Sequence, residues 1–381
     1  MIRVTHCIGL IDRPGHPPLS GAENHLMILL PALAEAGVDV ELIALLWDEG
    51  PSAQAALSRL REAGVRITLV RRPWPWLSGR LPRLLAWGIR ALAAWAMLLR
   101  VLTRRRDRLL HLHLELAVFP VLARLAGCRP PVLSFHNDER RYARPLWRWW
   151  MRRLGDWCAG NIAITEHVRT WLVANGMPPG RVRTVYYGVP RPLRCPHNRA
   201  DLGLPVDRPV VGFVGRLTEQ KNLPLLLHTA ALMRDEAVFA IVGTGDESTA
   251  LRQLAVEIGA DNVRFCGHIP GAAGLMPLFD VFCLPSRWEG LGLVLVEAML
   301  QDVPVVGSAN GAIPEVLGHG THGIVVTGDD PKAFASALRA VLSGGTAVRL
   351  RTEGAQRYAS LTFTVEAMAS RTMDLYRQAA S

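Results

Sequence analysis

Lysine is almost absent from this chain: of its 381 residues only Lys221 and Lys332 are lysine, and arginine carries the rest of the positive charge. Long apolar runs are missing too. The longest, Leu84 to Leu99, is interrupted by Arg90 and falls short of a bilayer-spanning helix. No cleavable leader is visible, because Met1 runs directly into a strand-like stretch, Ile2 to Leu10, broken by Arg3 and His6. Cys7, Cys128, Cys158, Cys195, Cys266 and Cys283 are scattered, with no C-x-x-C pair and no histidine at zinc-ligand spacing. That pattern argues against a disulfide framework or a structural metal and fits a reducing compartment. No G-x-G-x-x-G follows the first strand-like run, which disfavours a plain dinucleotide-dependent dehydrogenase. Nothing resembles a nucleic-acid module. The nearest approach to a D-x-D is Asp39-Val-Glu41, inside an apolar strand, so carboxylates that would hold a divalent cation at a diphosphate are lacking. The expectation is a chain that folds in the cytosol.

What is present is globular: 50% of residues are hydrophobic and 20% charged, over a length that suits two α/β domains. Short apolar runs alternate with helical patterns. Strand-like pieces fall at 2–9, 38–45, 65–70, 109–113, 131–135, 160–164 and 181–185, then at 210–214, 238–242, 262–265, 280–284, 303–306 and 322–326. Helical patterns fall at 22–36, 52–63, 80–103, 116–126, 140–158 and 166–174, then at 222–233, 247–258, 291–300, 313–318, 331–342 and 364–379. Strand–helix repetition predicts parallel strands joined by crossovers, that is, doubly wound sheets. A Pro-rich stretch from Tyr187 to Pro205 separates the two series. The predicted layout is an N-terminal domain over 1–188, a linker over 189–205, a second domain over 206–362, and a final helix in 363–381 that crosses back to the first domain.

The richest segment runs from Pro285 to Met299. It leaves the strand-like Val281 to Leu284, turns through Gly290 and Gly292, and enters a helix. Glycines there let backbone N–H groups approach an anion, so the Gly290–Leu291–Gly292–Leu293 turn reads as a diphosphate seat. Glu289 precedes the turn and Glu297 follows by about two helical turns, placing a carboxylate on either side for sugar or ribose hydroxyls. A second segment, Gly215-Arg-Leu-Thr-Glu-Gln-Lys-Asn222, follows the run Val210 to Val214. It sets Arg216 and Lys221 where strands end, as cations for the charge on a departing diphosphate.

These two segments, in this order, resemble the donor-binding half of glycosyltransferase family 4, of the GT-B architecture. The E-x7-E element is Glu289 to Glu297 and the G-R-L-x-x-x-K-N element is Gly215 to Asn222. Ser20-Gly-Ala-Glu23, Gly243-Thr-Gly245 and Asn310-Gly-Ala-Ile-Pro-Glu315 extend the likeness over roughly residues 1–345. The resemblance implies two Rossmann-like domains facing across a cleft and a retaining transfer of a sugar from a UDP- or GDP-sugar to an acceptor hydroxyl. It implies that Glu297 holds the ribose and that Glu289 contacts the transferred sugar. Arg216, Lys221 and the 290–293 backbone take the diphosphate, and Gly21 lets the first long helix approach a phosphate. Gly215 and Gly243 join this donor set. His136, in Ser134-Phe-His-Asn-Asp138, matches the histidine that approaches the donor sugar, and His113 is a candidate for the acceptor side. No cofactor or metal is expected, because cations and backbone can do the metal's electrostatic work. No dedicated carboxylate nucleophile stands out, which favours front-side displacement. Several positions depart from the family pattern: Leu291 for Phe, Asp302 for Gly, Asp246 for Pro, and Tyr187-Gly-Val-Pro190 for Asn-Gly-Val/Ile-Asp. The alternatives are another GT-B enzyme, such as a sugar-nucleotide epimerase, or a degenerate, non-catalytic membrane-associated relative.

The charge is uneven. Residues 1–190 hold 26 arginines against 14 acids, and the remainder is slightly acidic, within a net charge of +10. Arginine and tryptophan concentrate at 71–106, ending in Arg104-Arg-Arg106, and at 140–153. Helices with cationic edges and aromatic anchors suit an anionic membrane surface. The expected partners are therefore a nucleotide-diphosphate sugar, a lipid-linked or glycan acceptor, and the inner face of the cytoplasmic membrane, with no nucleic acid.

Overall fold

The computed structural model describes residues 2–9, 21–47, 51–71, 96–113, 119–138, 145–193 and 195–380. Ser20 and residues 72–95 and 140–144 of the Arg/Trp-rich stretches lie outside them. The chain divides into two units, Met1–Gly188 with Val365–Ser381, and Val189–Thr364.

The first unit is built on a seven-stranded sheet of β1 (Arg3–Gly9), β2 (Asp39–Trp47), β3 (Arg66–Arg71), β4 (Leu109–His113), β5 (Val132–Phe135), β6 (Gly160–Ala163) and β7 (Val182–Thr184). The order is β3-β2-β1-β4-β5-β6-β7 and every pairing is parallel. Helices α1 (Gly21–Glu35), α2 (Pro51–Glu62), α3 (Phe119–Leu125), α4 (Pro145–Trp157) and α5 (Glu166–Ala174) join the strands, with a further helical stretch over 96–103. On α1, Leu26, Leu29, Leu30 and Leu33 recur at helical spacing and are all buried, which fixes its inward face. The start of α5 is set by Thr165, whose side chain accepts from the Val168 N–H.

The second unit repeats the plan with β8 (Val210–Val214), β9 (Val238–Val242), β10 (Val263–Gly267), β11 (Val281–Leu284), β12 (Val305–Ser308) and β13 (Ile324–Val326). Their order is β10-β9-β8-β11-β12-β13, again parallel throughout. Val210–Val214 and Val238–Val242 are buried at every position, as strands covered on both faces must be. Helices α6 (Leu223–Leu232), α7 (Ser248–Glu257), α8 (Leu293–Met299), α9 (Ile313–Val316), α10 (Pro331–Leu342) and α11 (Thr346–Thr362) complete it. The segment read as a linker belongs to this unit: the Val189 N–H donates to Phe363 O and Arg199 pairs with Asp280. The terminal helix α12 (Val365–Ala380) belongs to the first unit, packs on α1 and buries Tyr376 in that core.

In both sheets the strand order reverses beside the first strand, between β1 and β4 and between β8 and β11. Doubly wound sheets bind ligands at the carboxyl ends of strands at such switch points. One expectation about the surface is corrected here. Arg105 is not a free surface cation: its guanidinium lies 2.5 Å from Glu41, a carboxylate that Thr68 and Thr5 also bond. Arg106 is tied as well, its Nε donating to Ala126 O at 2.6 Å. Of the Arg104–Arg106 run, Arg104 alone is exposed without such a tie.

Candidate functional site

In the second unit the chain leaves β8 through Gly215 and Arg216. The Gly215 N–H donates to Val242 O at 3.0 Å and the Gly243 N–H donates to Gly267 O at 2.7 Å. Gly243 has φ +136°, and a Cβ there would sit 1.8 Å from Gly215 O, so only glycine lets these two strand exits lie side by side. Arg216 is exposed and has no ion-pair partner among the described residues.

Lys221 and Glu289, given separate ligands by the sequence reading, are each other's partners. Lys221 Nζ lies 2.5 Å from Glu289 Oε1, with side chains only 13% and 7% exposed. Ser286 Oγ donates to the same oxygen at 2.8 Å and Gln220 Nε2 reaches Oε2 at 3.4 Å. Gln220 Nε2 also donates to Trp288 O at 3.0 Å, and Gln220 O accepts from the Arg287 N–H at 2.8 Å. The loop after β8 and the loop after β11 are thereby locked together at the switch point. The Glu289 backbone is enclosed in turn: its carbonyl accepts from the Ala312 N–H at 3.0 Å, and a Cβ on Gly311 would lie 2.5 Å from Glu289 N and O. Ser286 and Gln220 were missed by the sequence reading, because a serine and a glutamine in loops carry no signal of their own.

Gly290, Leu291 and Gly292 form the turn into α8. Gly292 takes φ +78°, a left-handed conformation that favours glycine, and Leu291 is buried. Leu293 opens the helix, which buries Leu295, Val296, Ala298 and Met299. Glu297 lies half-buried among these apolar neighbours, and its carboxyl has no hydrogen-bond or ion-pair partner among the described residues. Burial pushes that carboxyl up to about 7.

The switch point of the first unit has a different chemistry. Gly21 opens α1. His6 on β1, His25 on α1, His111 and His113 on β4, and His136 just after β5 are all buried. Their rings form a contiguous cluster: His6–His113 centroids are 5.2 Å apart, His111–His113 4.1 Å, His113–His136 5.5 Å and His25–His136 6.0 Å. Tyr187 stacks on His25 at 3.7 Å and its hydroxyl bonds His136 Nδ1. His6 Nδ1 and His113 Nε2 are 2.9 Å apart, and Tyr376 OH lies 2.6 Å from His111 Nδ1 and 3.2 Å from His6 Nε2. His111 Nε2 bonds Ser134 Oγ at 2.7 Å. Burial holds His25, His111 and His113 well below the usual imidazole range. His6 and His136 are lowered to about 3 by burial, assisted at His6 by Arg108, so the cluster is neutral.

His6, His111 and His113 have ligand atoms within 4.8 Å of one another, a spacing a metal could use. Every ring nitrogen of the three except His113 Nδ1 already has a protein hydrogen-bond partner. The structure thus brings His113 and His136, assigned to the acceptor and the donor sugar from the sequence, into one cluster and adds His6, His25, Tyr187 and Tyr376. The departure at Tyr187 was the only readable hint.

On α4, Trp149 is 55% exposed and the Arg153 guanidinium lies 5.6 Å from its ring. Trp150 and Trp157 meet edge to face, and Arg124 lies 5.7 Å from the Trp157 ring. Among the described residues no helix is long and apolar enough to cross a membrane.

A family model described as Glycosyltransferase Family 4 matches residues 19–191, and one described as Glycosyl transferases group 1 matches residues 208–344. The 2-deoxystreptamine N-acetyl-D-glucosaminyltransferase of Streptomyces fradiae is 28% identical over 84% of this chain and 82% of its own length. The GDP-mannose-dependent alpha-(1-6)-phosphatidylinositol monomannoside mannosyltransferase of Mycolicibacterium smegmatis is 32% identical, over 60% of this chain and 65% of its own length. Among solved structures, Anabaena HepE in complex with UDP and glucose superposes with a TM-score of 0.77 at 19% identity, covering 98% of this chain and 99% of that one.

Proposed function

Because this chain belongs to glycosyltransferase family 4 and is a glycosyltransferase of GT-B fold, we propose that it moves a hexosyl group from a UDP- or GDP-sugar to an acceptor hydroxyl, with retention and without a metal ion. The observation that carries the reading is the set of unpartnered groups at the switch point of the second unit. Among the described residues Arg216 is an exposed cation with no ion-pair partner, and Glu297 is a half-buried carboxyl with none. A nucleoside diphosphate offers each what it lacks: phosphoryl oxygens for Arg216, and two ribose hydroxyls that donate to Glu297. The 290–293 turn supports the diphosphate from below. Lys221, already neutralised by Glu289, adds a positioned donor more than a net charge. Glu289, held by three donors, is a poor nucleophile, which favours front-side displacement in which the departing phosphate oxygen takes the acceptor's proton. His136 serves the transferred sugar and His113 the acceptor.

The named relatives act on 2-deoxystreptamine and on phosphatidylinositol monomannoside, the latter with GDP-mannose. For this chain the proposed acceptor is a lipid-linked or envelope glycan, with the Trp149–Arg153 face of α4 resting on the anionic inner face of the cytoplasmic membrane. The test is release of nucleoside diphosphate from UDP-glucose, UDP-N-acetylglucosamine and GDP-mannose in excess EDTA, with an acceptor-bearing lipid extract. Turnover of one donor that survives the chelator supports the proposal; turnover only after a divalent cation is restored removes the metal-free mechanism.

A further inference from the structure

The two carboxylate oxygens of Glu289 have unequal surroundings. Oε1 receives two close donors, Lys221 Nζ at 2.5 Å and Ser286 Oγ at 2.8 Å. Oε2 receives one distant donor, Gln220 Nε2 at 3.4 Å, from an amide whose nearer acceptor is Trp288 O at 3.0 Å. The groups themselves fix the direction of these bonds. An ammonium has no lone pair and the carboxylate paired with it has no hydrogen, so the Ser286 hydroxyl donates. A carboxylate offers about four accepting positions over its two oxygens, so Oε2 keeps capacity that Oε1 has used.

Ser286 is itself held firmly. It is wholly buried, and its carbonyl accepts from Ser308 Oγ at 2.5 Å and from Asn310 Nδ2 at 3.1 Å. Ser308 ends β12, so the exit of that strand fixes the serine while the serine fixes a carboxylate beyond β11. Lys221 alone would not choose between the oxygens, because an ammonium is a compact charge whose donors rotate freely. A second donor on Oε1 makes the choice.

On the proposed function the diphosphate lies on the 290–293 turn with the ribose at Glu297. The transferred sugar is attached to the other end of the diphosphate, on the side of Glu289. We infer that Ser286 is a positioning residue that occupies Glu289 Oε1 and reserves Oε2 for one hydroxyl of the transferred sugar. That hydroxyl donates to Oε2 and displaces only the long bond from Gln220, whose amide keeps Trp288 O. The ligand in this inference rests on the proposed function; the choice of oxygen rests on the bonds at Glu289.

The test is steady-state transfer by the full chain from UDP-glucose and GDP-mannose and from each singly deoxygenated form of the sugar that is used. Wild type, Ser286→Ala and Ser286→Cys are compared, with UDP and GDP affinity and melting temperature measured alongside. In the wild type at least one deoxygenated donor should lose about tenfold or more in kcat/KM, the worth of a hydrogen bond to a charged group. Ser286→Ala should lower kcat/KM for the intact donor by a similar factor and shrink the penalty for one deoxygenated donor only. Nucleoside-diphosphate affinity should stay at the wild-type value, because Arg216 and Glu297 hold that part. Ser286→Cys, which fills the space with a weak donor, should act in the same way and serves if the alanine variant does not fold. Penalties that shrink for no deoxygenated donor, or for all alike, would overturn the inference, as would a loss of nucleotide affinity in step with kcat/KM. So would a wild type indifferent to every deoxygenation, which needs no variant to fold. No turnover of either donor by the wild type would instead remove the proposed function, and the inference with it.

Discussion

The two units share a strand order and a switch point, yet they fill that point with opposite chemistry. In the first unit four neutral rings and two tyrosines are joined by hydrogen bonds and a fifth ring, His25, by stacking on Tyr187. In the second, a buried ammonium–carboxylate pair clamps two loops and leaves an arginine and a second carboxyl unengaged. A neutral cluster tolerates burial at little electrostatic cost, whereas a buried ion pair is stable only while both partners are present. The first arrangement suits uncharged hydroxyls and the second suits a diphosphate. One backbone plan therefore carries two kinds of chemistry, set by a handful of loop and strand-end residues.

The sharpest way to break the comparison is to remove half of the ion pair. Glu289→Ala or Lys221→Ala should destabilise the second unit by about 3–5 kcal/mol, because each strands a buried charge. Transfer should be lost. The double replacement Lys221→Met, Glu289→Leu should recover most of that stability but no activity, and denaturant melts of the three variants check it. Gly243→Ala should cost about 3 kcal/mol or more, since its Cβ would collide with Gly215 O at 1.8 Å. Tyr376→Phe should cost the first unit about 1–3 kcal/mol, by stranding His111 and His6 nitrogens, and leave the second untouched in hydrogen exchange.

A smaller effect concerns pH. The Glu297 carboxyl is raised to about 7 in the folded protein, so the folded state holds a proton there that the unfolded chain releases from about 4.5 upward. Its contribution to stability is full below about 4.5 and is lost as pH rises through about 7. Ribose hydroxyls favour the ionised form, so nucleotide binding should expel that proton. Affinity should fall below pH 7 by up to about tenfold per unit, and Glu297→Gln should flatten the dependence in a titration from pH 5.5 to 8. The smallest effect lies on α4: Trp149→Ala with Arg153→Ala should weaken binding to anionic vesicles by about 1 kcal/mol per lost cation. Arg105→Ala should unsettle the fold instead, because that guanidinium serves Glu41.

The sheets were largely legible because parallel, doubly covered strands such as Val238–Val242 read as plain apolar runs. Helix α11 was not read: it buries only Ala355 and Ala359 fully and carries Gly354, so no apolar stripe marks it. At the candidate site, Arg216 stands out in the sequence by following a strand end and Glu297 by its spacing from a glycine turn. The pairing of Lys221 with Glu289 does not, since 68 residues separate them and each looks like a ligand contact. The histidine cluster was half visible. His111 and His113 lie on β4 and His136 just past β5, but His6 and His25 join them only through the sheet order, and Tyr376 only through a helix far along the chain.

The most direct test of the account is a thermal-shift titration of the full chain with UDP, GDP, ADP, CDP and dTDP in excess EDTA, repeated on Arg216→Ala and Glu297→Gln. The account predicts that one nucleotide stabilises the wild-type protein, by about 2.7 kcal/mol at a hundred times its dissociation constant, and that the shift shrinks sharply in both variants. A shift that requires a divalent cation, or one that persists undiminished in both variants, would contradict it.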